Sequence, residues 1–570
     1  MASSGNFPVW TDLVKGATNI TKGGTRFDGS TNSRSAVIPF QVPTGTKFYI
    51  ECLVTHATNY NIIFGLVNPY QDIATYIESQ STVNGILFRG NNSSSWDTCS
   101  LTNGSRGSFG SNVGQTADRV LAMTVNRVDN EIKMYLDNSL KHTISISATE
   151  DYTVFASFTG GTASGVHMNI NCGHDSTGAG DFSAASNTDE NGFGEFQYSP
   201  PTGFLALCSA NLPVDSNIDP AGDDGDTQNP TKHFGVLTWD GDGGTLAITG
   251  LGFQPDLVWG FARSGGQSKR MVDSSRGGNS RMYSDANTAE DTSQTTVAFD
   301  SDGITAYGGY FNNDSGKTSG AWCWKANGGT TSTNTSGTIT SSVQANTIAG
   351  FSIITYSGNG TSGATVGHGL GAVPAMTMIK QRNATNAWNV WHQGNNSGDI
   401  DSFGELNGSA SWYQNQGSSG PYSSAPTSTL LTLTGYGQVN SSTGTYVGYI
   451  WSEIEGYSKF GSYVGNGNSN GPTFYTGFRP RLIFIKNTSG TSGWTVVDTN
   501  VYPHNTKNGP ERIEWNSSSA SVTGTSASRE MDLLSNGVKI NTTNSNVNTQ
   551  NSIYVFGAWA DVPFKYANSR

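Results

Sequence analysis

The chain has 570 residues, several times the size of a typical domain, and only 13% of them are charged. With 72 glycines and 11% aromatic residues, this composition excludes a disordered protein and favours short strands joined by tight turns. The net charge of −12, without any cluster of lysine or arginine, argues against nucleic-acid binding, so we predict an all-β protein with several domains.

Strand patterns begin early in the chain. The stretch "GTKFYIECLV" from Gly45 alternates large and polar residues, and "NYNIIFGLVN" from Asn59 is an apolar run with one internal glycine. The segment Asp118–Asp137 predicts two strands joined by a tight turn. We therefore predict a β-sandwich over residues 1–195.

These N-terminal motifs resemble those of the SPRY family over residues 8–180. The opening strand of the family corresponds to Gly45–Glu51, its GxVN motif to Gly65–Asn68 and its hairpin to Asp118–Asp137. The closing motif is present only as Asn171–Gly173. The resemblance implies a β-sandwich that binds proteins through its loops and catalyses no reaction.

The segment Asp189–Pro213 reads "DENGFGEFQYSPPTGFLALCSANLP" and joins this domain to the rest of the chain. Together with the units that follow it and the ending "PFKYANSR", it resembles a family of bacteriophage virion proteins labelled tail fibre or tail-spike proteins. The resemblance covers nearly the whole chain. It implies a protein on the exterior of a virion, and we assign residues 196–232 to a linker.

The second half of the chain repeats one pattern three times, starting at His233, Gly350 and Lys459. Each copy runs from an aromatic strand through a glycine-rich turn to a proline and an apolar strand. The period of about 105 to 120 residues is the size of a domain, unlike the short period of a solenoid. We predict three jelly-roll-like β-sandwiches, called here repeat 1 (residues 233–345), repeat 2 (346–458) and repeat 3 (459–570).

The last predicted strand of each repeat carries a matched tryptophan: Trp324, Trp451 and Trp559. A tryptophan that alternates with small residues on a strand is typical of a core anchor. The dipeptides Asp302–Gly303 in repeat 1 and Asn536–Gly537 in repeat 3 predict matched hairpins.

Two further features of repeat 3 bear on its fold. The strand "RLIFIKN" from Arg481 is apolar on nearly every residue, which predicts a strand covered on both faces. Pro563 is expected to end the last strand, with Phe564 and Tyr566 folding back onto the repeat.

The cysteines are Cys52, Cys99, Cys172, Cys208 and Cys323, which are widely spaced and form no CxxC pair. We expect buried free thiols, with neither a disulfide framework nor a zinc site. No basic segment followed by an apolar core opens the sequence, and no apolar run approaches the length of a membrane span. We therefore expect synthesis in a cytoplasm without membrane insertion.

A site that cleaves a glycan would need paired carboxylates, because glycoside hydrolysis uses two of them. Asp240 and Asp242, like the aspartates of "GDDGDTQNP", lie in glycine-rich turns, where aspartate binds its own backbone. Glu453 and Glu455 are expected to face solvent near a strand end, and "DDGD" lacks the spacing of an EF-hand loop. We predict no enzyme, no metal and no cofactor, with a glycan-degrading spike as an alternative.

The loop "GSASWYQNQGSSGPYSSAPTS" of repeat 2 is the favoured contact zone. It places Trp412, Tyr413 and Tyr422 among small polar residues, a mixture of rigid aromatic anchors and adaptable contacts. Trp412 or Tyr413 could instead be a shared core residue, since Tyr283 and Trp515 occupy corresponding places. Tyr422 has no counterpart and is therefore the favoured contact residue of the three.

The sequence thus predicts a non-enzymatic phage fibre or spike subunit that recognises a host-surface glycan or protein. Expected partners are other virion proteins, such as a tail or capsid adaptor, and copies of the same chain; no nucleic acid is expected. The resemblance to trimeric fibres favours a homotrimer. The alternative is a capsid or tail decoration protein without receptor binding.

Overall fold

The computed structural model divides the chain into two compact units. The first is built mainly from Met1–Val214 and includes Asn470–Tyr475, and the second is built mainly from Asp215–Ser469 and Thr476–Pro563. The structure describes residues 8, 10, 20–21, 25–28, 34–55, 61–68, 85–91, 95–102, 105–108, 113–114, 118–148, 150–159, 166–212, 229–395, 398–499, 512–521 and 531–563. Phe564 and Tyr566 lie outside these ranges. Within them, no helix has the length and hydropathy needed to span a membrane.

The first unit is a β-sandwich of two sheets. Its strands are β1 (Ile20–Thr21), β2 (Arg26–Asp28), β3 (Arg34–Gln41), β4 (Lys47–Val54), β5 (Asn61–Val67), β6 (Gly85–Asn91), β7 (Ser95–Thr102), β8 (Ser105–Ser108), β9 (Val113–Gly114), β10 (Arg119–Asn126), β11 (Glu131–Leu136), β12 (Ser139–Ser145), β13 (Thr153–Thr159), β14 (His167–Asn171) and β15 (Leu205–Ala206). One sheet has the order β1-β2-β14-β4-β10-β11-β12, and the other has the order β3-β13-β5-β6-β7-β8. The β-sandwich prediction is confirmed.

The motifs that predicted this sandwich form its strands. The Gly45–Glu51 motif opens β4, and Gly65–Asn68 ends β5. The Asp118–Asp137 segment is the hairpin β10–β11, whose turn is held by Asn126: its Oδ1 accepts hydrogen bonds from the backbone N–H groups of Val128 and Asp129. An asparagine that binds the backbone of its own turn is a common device of tight turns.

Residues 196–212, assigned from the sequence to a linker, contain contacts within the first unit. Strand β15 pairs in parallel with β4. The buried Glu51 carboxylate accepts backbone N–H groups of Gln197 and Tyr198, both at 2.9 Å, and side-chain hydrogen bonds from Tyr49 and Asn171 at 3.0 and 3.1 Å. Burial raises the pKa of Glu51 to about 7 against these four donors, which lower it. We call this arrangement the Glu51 clasp.

The second unit contains the three repeats. The strands of repeat 1 are β16 (Phe234–Asp240), β17 (Thr245–Thr249), β18 (Leu257–Ala262), β19 (Arg270–Asp273), β20 (Arg281–Tyr283), β21 (Val297–Asp300), β22 (Gly303–Tyr307) and β23 (Thr318–Trp324). Strands β24 (Ser332–Asn334) and β25 (Ser341–Asn346) come next. The strands of repeat 2 are β26 (Phe351–Ser357), β27 (Ala364–Gly367), β28 (Met376–Gln381), β29 (Asn389–His392), β30 (Gly404–Glu405), β31 (Tyr422–Ser424), β32 (Leu430–Leu433) and β33 (Thr445–Trp451). Repeat 3 contributes β34 (Ser458–Val464), β36 (Phe478–Asn487), β37 (Thr495–Asp498), β38 (Ile513–Glu514), β39 (Met531–Leu534), β40 (Gly537–Ile540) and β41 (Ile553–Pro563) to this unit, whereas β35 (Thr473–Tyr475) belongs to the first unit. The short helices are α1 (Gly437–Asn440) and α2 (Ser545–Asn548).

Each repeat has one large antiparallel sheet with the same central order. The orders are β16-β23-β18-β19-β20, β24-β25-β26-β33-β28-β29-β30 and β34-β41-β36-β37-β38. Smaller sheets of order β17-β22-β21 and β27-β32-β31 accompany the first two. Strand β24 and all but the last residue of β25 lie in the segment assigned to repeat 1, yet both strands extend the large sheet of repeat 2. The tandem β-sandwich prediction is confirmed.

The predicted hairpins and buried strand also appear. Asp302–Gly303 joins β21 to β22, and Asn536–Gly537 joins β39 to β40. Strand β36 is buried along almost its whole length. One reason is that Phe484 packs against Trp515 and Trp559, with ring centroids 4.8 and 6.3 Å apart.

The three matched tryptophans contact one another. The ring centroids of Trp324 and Trp451 are 6.0 Å apart, those of Trp324 and Trp559 5.3 Å, and those of Trp451 and Trp559 6.0 Å. The interplanar angles are 71°, 71° and 68°, an edge-to-face arrangement that aromatic rings prefer. The core-anchor prediction is confirmed, and these residues, called the tryptophan triad, form a core shared by all three repeats.

Contacts between repeats follow a cyclic order. Asp273, His392 and Asp498 occupy the same register position, opposite Leu257, Met376 and Leu482. Asp273 Oδ2 accepts the Tyr449 hydroxyl at 2.8 Å, linking repeats 1 and 2, and His392 Nε2 donates to the Phe556 carbonyl at 3.0 Å, linking repeats 2 and 3. Asp498 Oδ2 accepts the Trp322 indole N–H at 2.8 Å. Repeat 3 therefore contacts repeat 1, and the cycle closes within one chain.

Each repeat also contributes one buried lysine to an interface with its neighbour. Lys380 donates to the carbonyl of Asn287 at 3.3 Å, Lys486 to those of Ser409 and Ala410 at 3.1 and 3.0 Å, and Lys269 to those of Ser517 and, at 3.3 Å, Ser519. Burial lowers the pKa of each of these lysines to about 8.

Each of these lysines lies one position beyond the end of a ladder, opposite an aromatic residue that also lies one position beyond it. The last pairs of the β18–β19, β28–β29 and β36–β37 ladders are Gly260–Arg270, Ile379–Asn389 and Ile485–Thr495. The next positions hold Phe261 and Lys269, Lys380 and Trp388, and Lys486 and Trp494. The lysine directly precedes the second strand in repeat 1 and lies in the first strand in the other two. Each pair therefore keeps one lysine and one aromatic ring while their order is exchanged.

Candidate binding surface at the edge of the large sheets

Tyr413 is presented at the free edge of the large sheet of repeat 2. Backbone hydrogen bonds of 3.0 and 2.9 Å tie Phe403 and Tyr413 together in an isolated β-bridge next to β30. The Tyr413 ring stacks on Phe403 with centroids 4.9 Å apart and an interplanar angle of 26°, and it is 42% exposed. The predicted contact residue Tyr413 is thus held rigidly with its ring open to solvent.

Polar groups and a second tyrosine surround this ring. The ring centroids of Tyr436 and Phe403 are 5.7 Å apart. Burial raises the pKa of the Tyr436 hydroxyl, and the nearby Glu405 and Tyr413 raise it further. Gln438 Nε2 donates to Glu405 Oε1 at 3.4 Å. We call the residues Asn389, Phe403, Glu405, Tyr413, Tyr436 and Gln438 the Tyr413 surface.

Asn389 completes this surface from the adjacent strand. It lies opposite Glu405 in the ladder and donates its Nδ2 to Gln438 Oε1 at 3.3 Å. Its buried Oδ1 has no hydrogen-bond partner within the described ranges. The exposed Tyr413 ring thus lies next to the half-buried Glu405 carboxylate, with the amides of Asn389 and Gln438 buried behind it. An aromatic face beside a carboxylate suits a ligand that has apolar faces and hydroxyl groups.

The other two predicted contact residues are buried. Trp412 lies at the interface of repeats 2 and 3. Its backbone N–H donates to the Thr488 carbonyl at 2.9 Å, and its ring centroid is 6.0 Å from that of Trp494. Tyr422, on β31, is hydrogen-bonded to Thr377 at 2.6 Å and packs in the core of repeat 2. Of the three, only Tyr413 offers a face to a ligand. Trp412 and Tyr413 differ because successive residues of an extended segment point to opposite sides.

Sequence reasoning missed Glu405, Tyr436 and Gln438. They come from β30 and from the start of α1, and the sheet edge brings them beside Tyr413. No short motif joins these positions, so the sequence offered no signal for them.

The same edge in repeat 1 carries a different set of side chains. Arg270 lies opposite Tyr283 in the β19–β20 ladder, as Asn389 lies opposite Glu405 in repeat 2. The Arg281 guanidinium lies over the ring of Tyr310, 5.4 Å from its centroid. We call Arg270, Arg281, Tyr283 and Tyr310 the Arg270 surface.

Two of the candidate catalytic carboxylates, Asp242 and Glu453, serve local structure. Asp242 accepts the N–H of Gly244 at 2.8 Å and Asn313 Nδ2 at 2.9 Å, and these bonds lower its pKa. Glu453 accepts Lys459 Nζ at 2.7 Å and the N–H of Phe460 at 3.1 Å. Asp223, Asp224 and Asp226 of "GDDGDTQNP" lie outside the described residues.

In the part of the chain that the structure describes, no three histidine, cysteine or acidic side chains gather as a metal site would require. Cys52, Cys172, Cys208 and Cys323 are buried free thiols, as predicted. The side chain of Cys99 lies outside the described residues.

Comparison with known proteins identifies a family and several related folds. Residues 229–563 match a family described as a domain of unknown function, DUF7483. No curated protein sequence matches the chain.

Three solved structures show the range of the fold likeness. The TRIM65 PSpry domain is 9% identical, covering 29% of this chain and 93% of its own with a TM-score of 0.22. The carbohydrate-binding module CBM66 from Bacillus subtilis is 16% identical over 28% and 98% (TM-score 0.20), and a Bacillus licheniformis β-glucanase is 16% identical over 29% and 90% (TM-score 0.21). Likenesses this weak carry no argument about what the chain binds or whether it is an enzyme.

Proposed function

The chain belongs to the DUF7483 family over residues 229–563, and we propose that it is a non-enzymatic attachment subunit of a bacteriophage virion. In this proposal, the Tyr413 surface recognises a carbohydrate on the host cell. The observation that carries the proposal is the exposed Tyr413 ring, stacked on Phe403 beside Glu405 and Gln438.

Carbohydrate is the ligand class that these groups suit best. A sugar ring has an apolar C–H face that packs on an aromatic ring, and hydroxyl groups that bond carboxylates and amides. Because the Tyr413 ring is fixed by its stack on Phe403 and by two backbone hydrogen bonds, little side-chain freedom is lost on binding.

A binding role is favoured over hydrolysis by the state of the candidate carboxylates. Asp242 and Glu453 each accept hydrogen bonds from neighbouring backbone and side-chain groups, which gives both carboxylates a local structural role. Neither therefore supports the glycan-degrading alternative.

The virion setting rests on the resemblance of Asp189–Pro213 to phage fibre and spike proteins. We propose that the protein is made in the host cytoplasm, is displayed on the virion exterior and binds a tail or capsid adaptor. The homotrimer stays a prediction: light scattering on the purified chain would give three times its mass of 60.3 kDa. A monomer would favour the decoration role, since the cyclic contacts of the repeats already supply threefold geometry within one chain.

The binding proposal is tested on the full-length protein with host cells and their purified surface polysaccharide. We expect Tyr413→Ala to weaken binding about tenfold or more, because a packed tyrosine is a frequent binding hot spot. The control is Val373→Ala, which truncates another exposed side chain of repeat 2, 57% exposed. Wild-type affinity in Tyr413→Ala would contradict the role of this surface, and reducing ends released from the polysaccharide would contradict the non-enzymatic role.

A further inference from the structure

The Arg270 surface brings two guanidinium groups to one face of a sheet. In the β19–β20 ladder Arg270 lies opposite Tyr283, and Val272 lies opposite Arg281. Residues that are paired across a ladder, or two apart on one strand, share a face. Arg270 and Arg281 therefore project from the same face, at the edge strand β20, in a chain whose net charge is −12.

Arg281 is held in place but keeps an unused donor. Its Nε and Nη2 bind Asp291 Oδ2 at 3.1 and 2.5 Å, and its guanidinium lies over the Tyr310 ring. The residue is only 8% exposed, and its buried Nη1 has no hydrogen-bond partner among the described residues. A buried guanidinium nitrogen without an acceptor is costly, so a ligand acceptor at this point would be stabilising.

Arg270 lacks an ion-pair partner within the described ranges. Its Nη1 makes one long hydrogen bond of 3.4 Å to the Ser268 carbonyl, and its buried Nε has no partner. Burial and the nearby positive charge of Arg281 lower its pKa, while Tyr283, Asp314 and Asp285 act in the opposite direction. The Oδ1 of Asp285 accepts the backbone N–H of Lys269 at 3.0 Å.

We propose that the Arg270 surface is an anion-binding site that takes the carboxylate or sulfate group of an acidic saccharide. The unused N–H groups of Arg270 and Arg281 would bind the oxyanion, since a guanidinium matches the geometry of such groups. The Tyr310 ring, 45% exposed, lies beside Arg281 and would pack on the sugar. This site goes beyond the proposed function and does not depend on the Tyr413 surface.

The corresponding positions in repeat 2 explain why the two surfaces would differ in ligand. There Asn389 and Glu405 replace Arg270 and Tyr283. The Glu405 carboxylate would repel an acidic sugar, whereas a neutral sugar meets no such penalty. One chain would then hold an acidic-saccharide site in repeat 1 and a neutral-saccharide site in repeat 2.

The test uses isothermal titration of the full-length protein with three probes: oligoglucuronate, a sulfated dextran oligosaccharide and the unmodified dextran oligosaccharide. We expect one or both acidic probes to bind and to bind more weakly as salt is raised. The oligoglucuronate and sulfate arms distinguish the two anion sources. Equal affinity for the neutral probe, or no binding of either acidic probe, would overturn the proposal.

Variants locate the site. Arg270→Gln should weaken acidic-probe binding about tenfold or more, as loss of a charged hydrogen bond does, and Arg270→Lys should fall between it and the wild type. Tyr310→Ala, a surface change, should also weaken binding. The matched control Arg119→Gln removes an arginine of the first unit that pairs with Asp137 at 2.6 Å.

The two variants Tyr413→Ala and Arg270→Gln distinguish a failure of the anion site from a failure of the Tyr413 surface. Tyr413→Ala should bind the acidic probe with wild-type affinity, and Arg270→Gln should retain binding to any neutral polysaccharide that Tyr413 recognises. Wild-type affinity of Arg270→Gln for the acidic probe would contradict the anion site alone. Loss of acidic-probe binding in Tyr413→Ala would place that ligand on repeat 2 and also overturn it.

Discussion

Trp322 of repeat 1 donates its indole N–H to Oδ2 of Asp498 in repeat 3 at 2.8 Å, across 176 residues of sequence. This bond connects the last repeat to the first. The Tyr449–Asp273 and His392–Phe556 bonds connect the other two pairs of repeats from the same register position. Each repeat is therefore in contact with both of the others, and the stability of one depends on its neighbours.

Trp322→Phe should destabilise the second unit by about 1.5 to 3 kcal/mol, the contribution typical of a hydrogen bond to a charged group. The measurement is urea unfolding of the full chain. The control is Trp515→Phe, which makes the same change at a buried tryptophan whose Nε1 has no partner in the described part of the chain. Equal losses in both variants would show that the Trp322–Asp498 bond contributes nothing specific.

Trp451→Ala should destabilise the second unit by about 3 to 5 kcal/mol, the usual cost of removing a large buried aromatic ring. Because Trp451 contacts Trp324 and Trp559, we expect faster hydrogen exchange in β23 and β41 as well as in β33. The comparison is Trp391→Ala, whose ring lies in the core of repeat 2. Exchange that accelerates only in repeat 2 after Trp451→Ala would argue against a shared core.

The second unit should become more stable as the pH rises from 8 to 9. Lys269, Lys380 and Lys486 have pKa values of about 8 in the folded chain and an ordinary value of 10.5. Between these values the unfolded chain binds more protons, so the free energy of unfolding increases with pH, by at most about 1.4 kcal/mol per pH unit for each lysine.

This pH dependence is measured by urea unfolding at pH 7, 8 and 9, following the transition of the second unit. Lys380→Met should reduce the slope above pH 8 by removing one titrating group. A free energy of unfolding that is flat or falls between pH 8 and 9 would show that the buried lysines keep their ordinary pKa.

Glu51→Ala should destabilise the first unit by about 3 kcal/mol or more, because it leaves several buried donors without their acceptor. The amides of Gln197 and Tyr198 should lose protection from hydrogen exchange, since both donate to this carboxylate. The control is Glu190→Gln, at an exposed position of the segment Asp189–Pro213, which also contains Gln197 and Tyr198. Unchanged protection of the two amides would mean that the Glu51 clasp does not hold the segment.

The repeat pattern predicted much of the fold because it reports which positions are equivalent. It identified Trp324, Trp451 and Trp559 as matched anchors, and all three are buried. It did not predict their mutual contact, because the same periodic sequence would suit three separate domains. The bonds that join the repeats use a different acceptor or donor in each case, so no charge pattern reveals them.

The candidate site was predicted less completely than the fold. Tyr413 was chosen from its loop, but adjacent Trp412 is buried and Tyr422 lies in the core. Their orientations depend on the short bridge between Phe403 and Tyr413, and a loop without alternating hydrophobicity does not show such a bridge. The equivalence of Arg270 with Asn389 depends on ladder register, which the sequence does not fix at a sheet edge.

The exchanged positions just beyond the ladder ends, Phe261 and Lys269, Lys380 and Trp388, and Lys486 and Trp494, affect how related sequences should be compared. In an alignment, each column of such a pair would mix lysine with aromatic residues and would look freely variable. The two columns would nevertheless covary, because a lone substitution gives either two buried lysines or none. Counting pairs rather than columns would therefore locate the residues through which one repeat contacts its neighbour in family members of unknown structure.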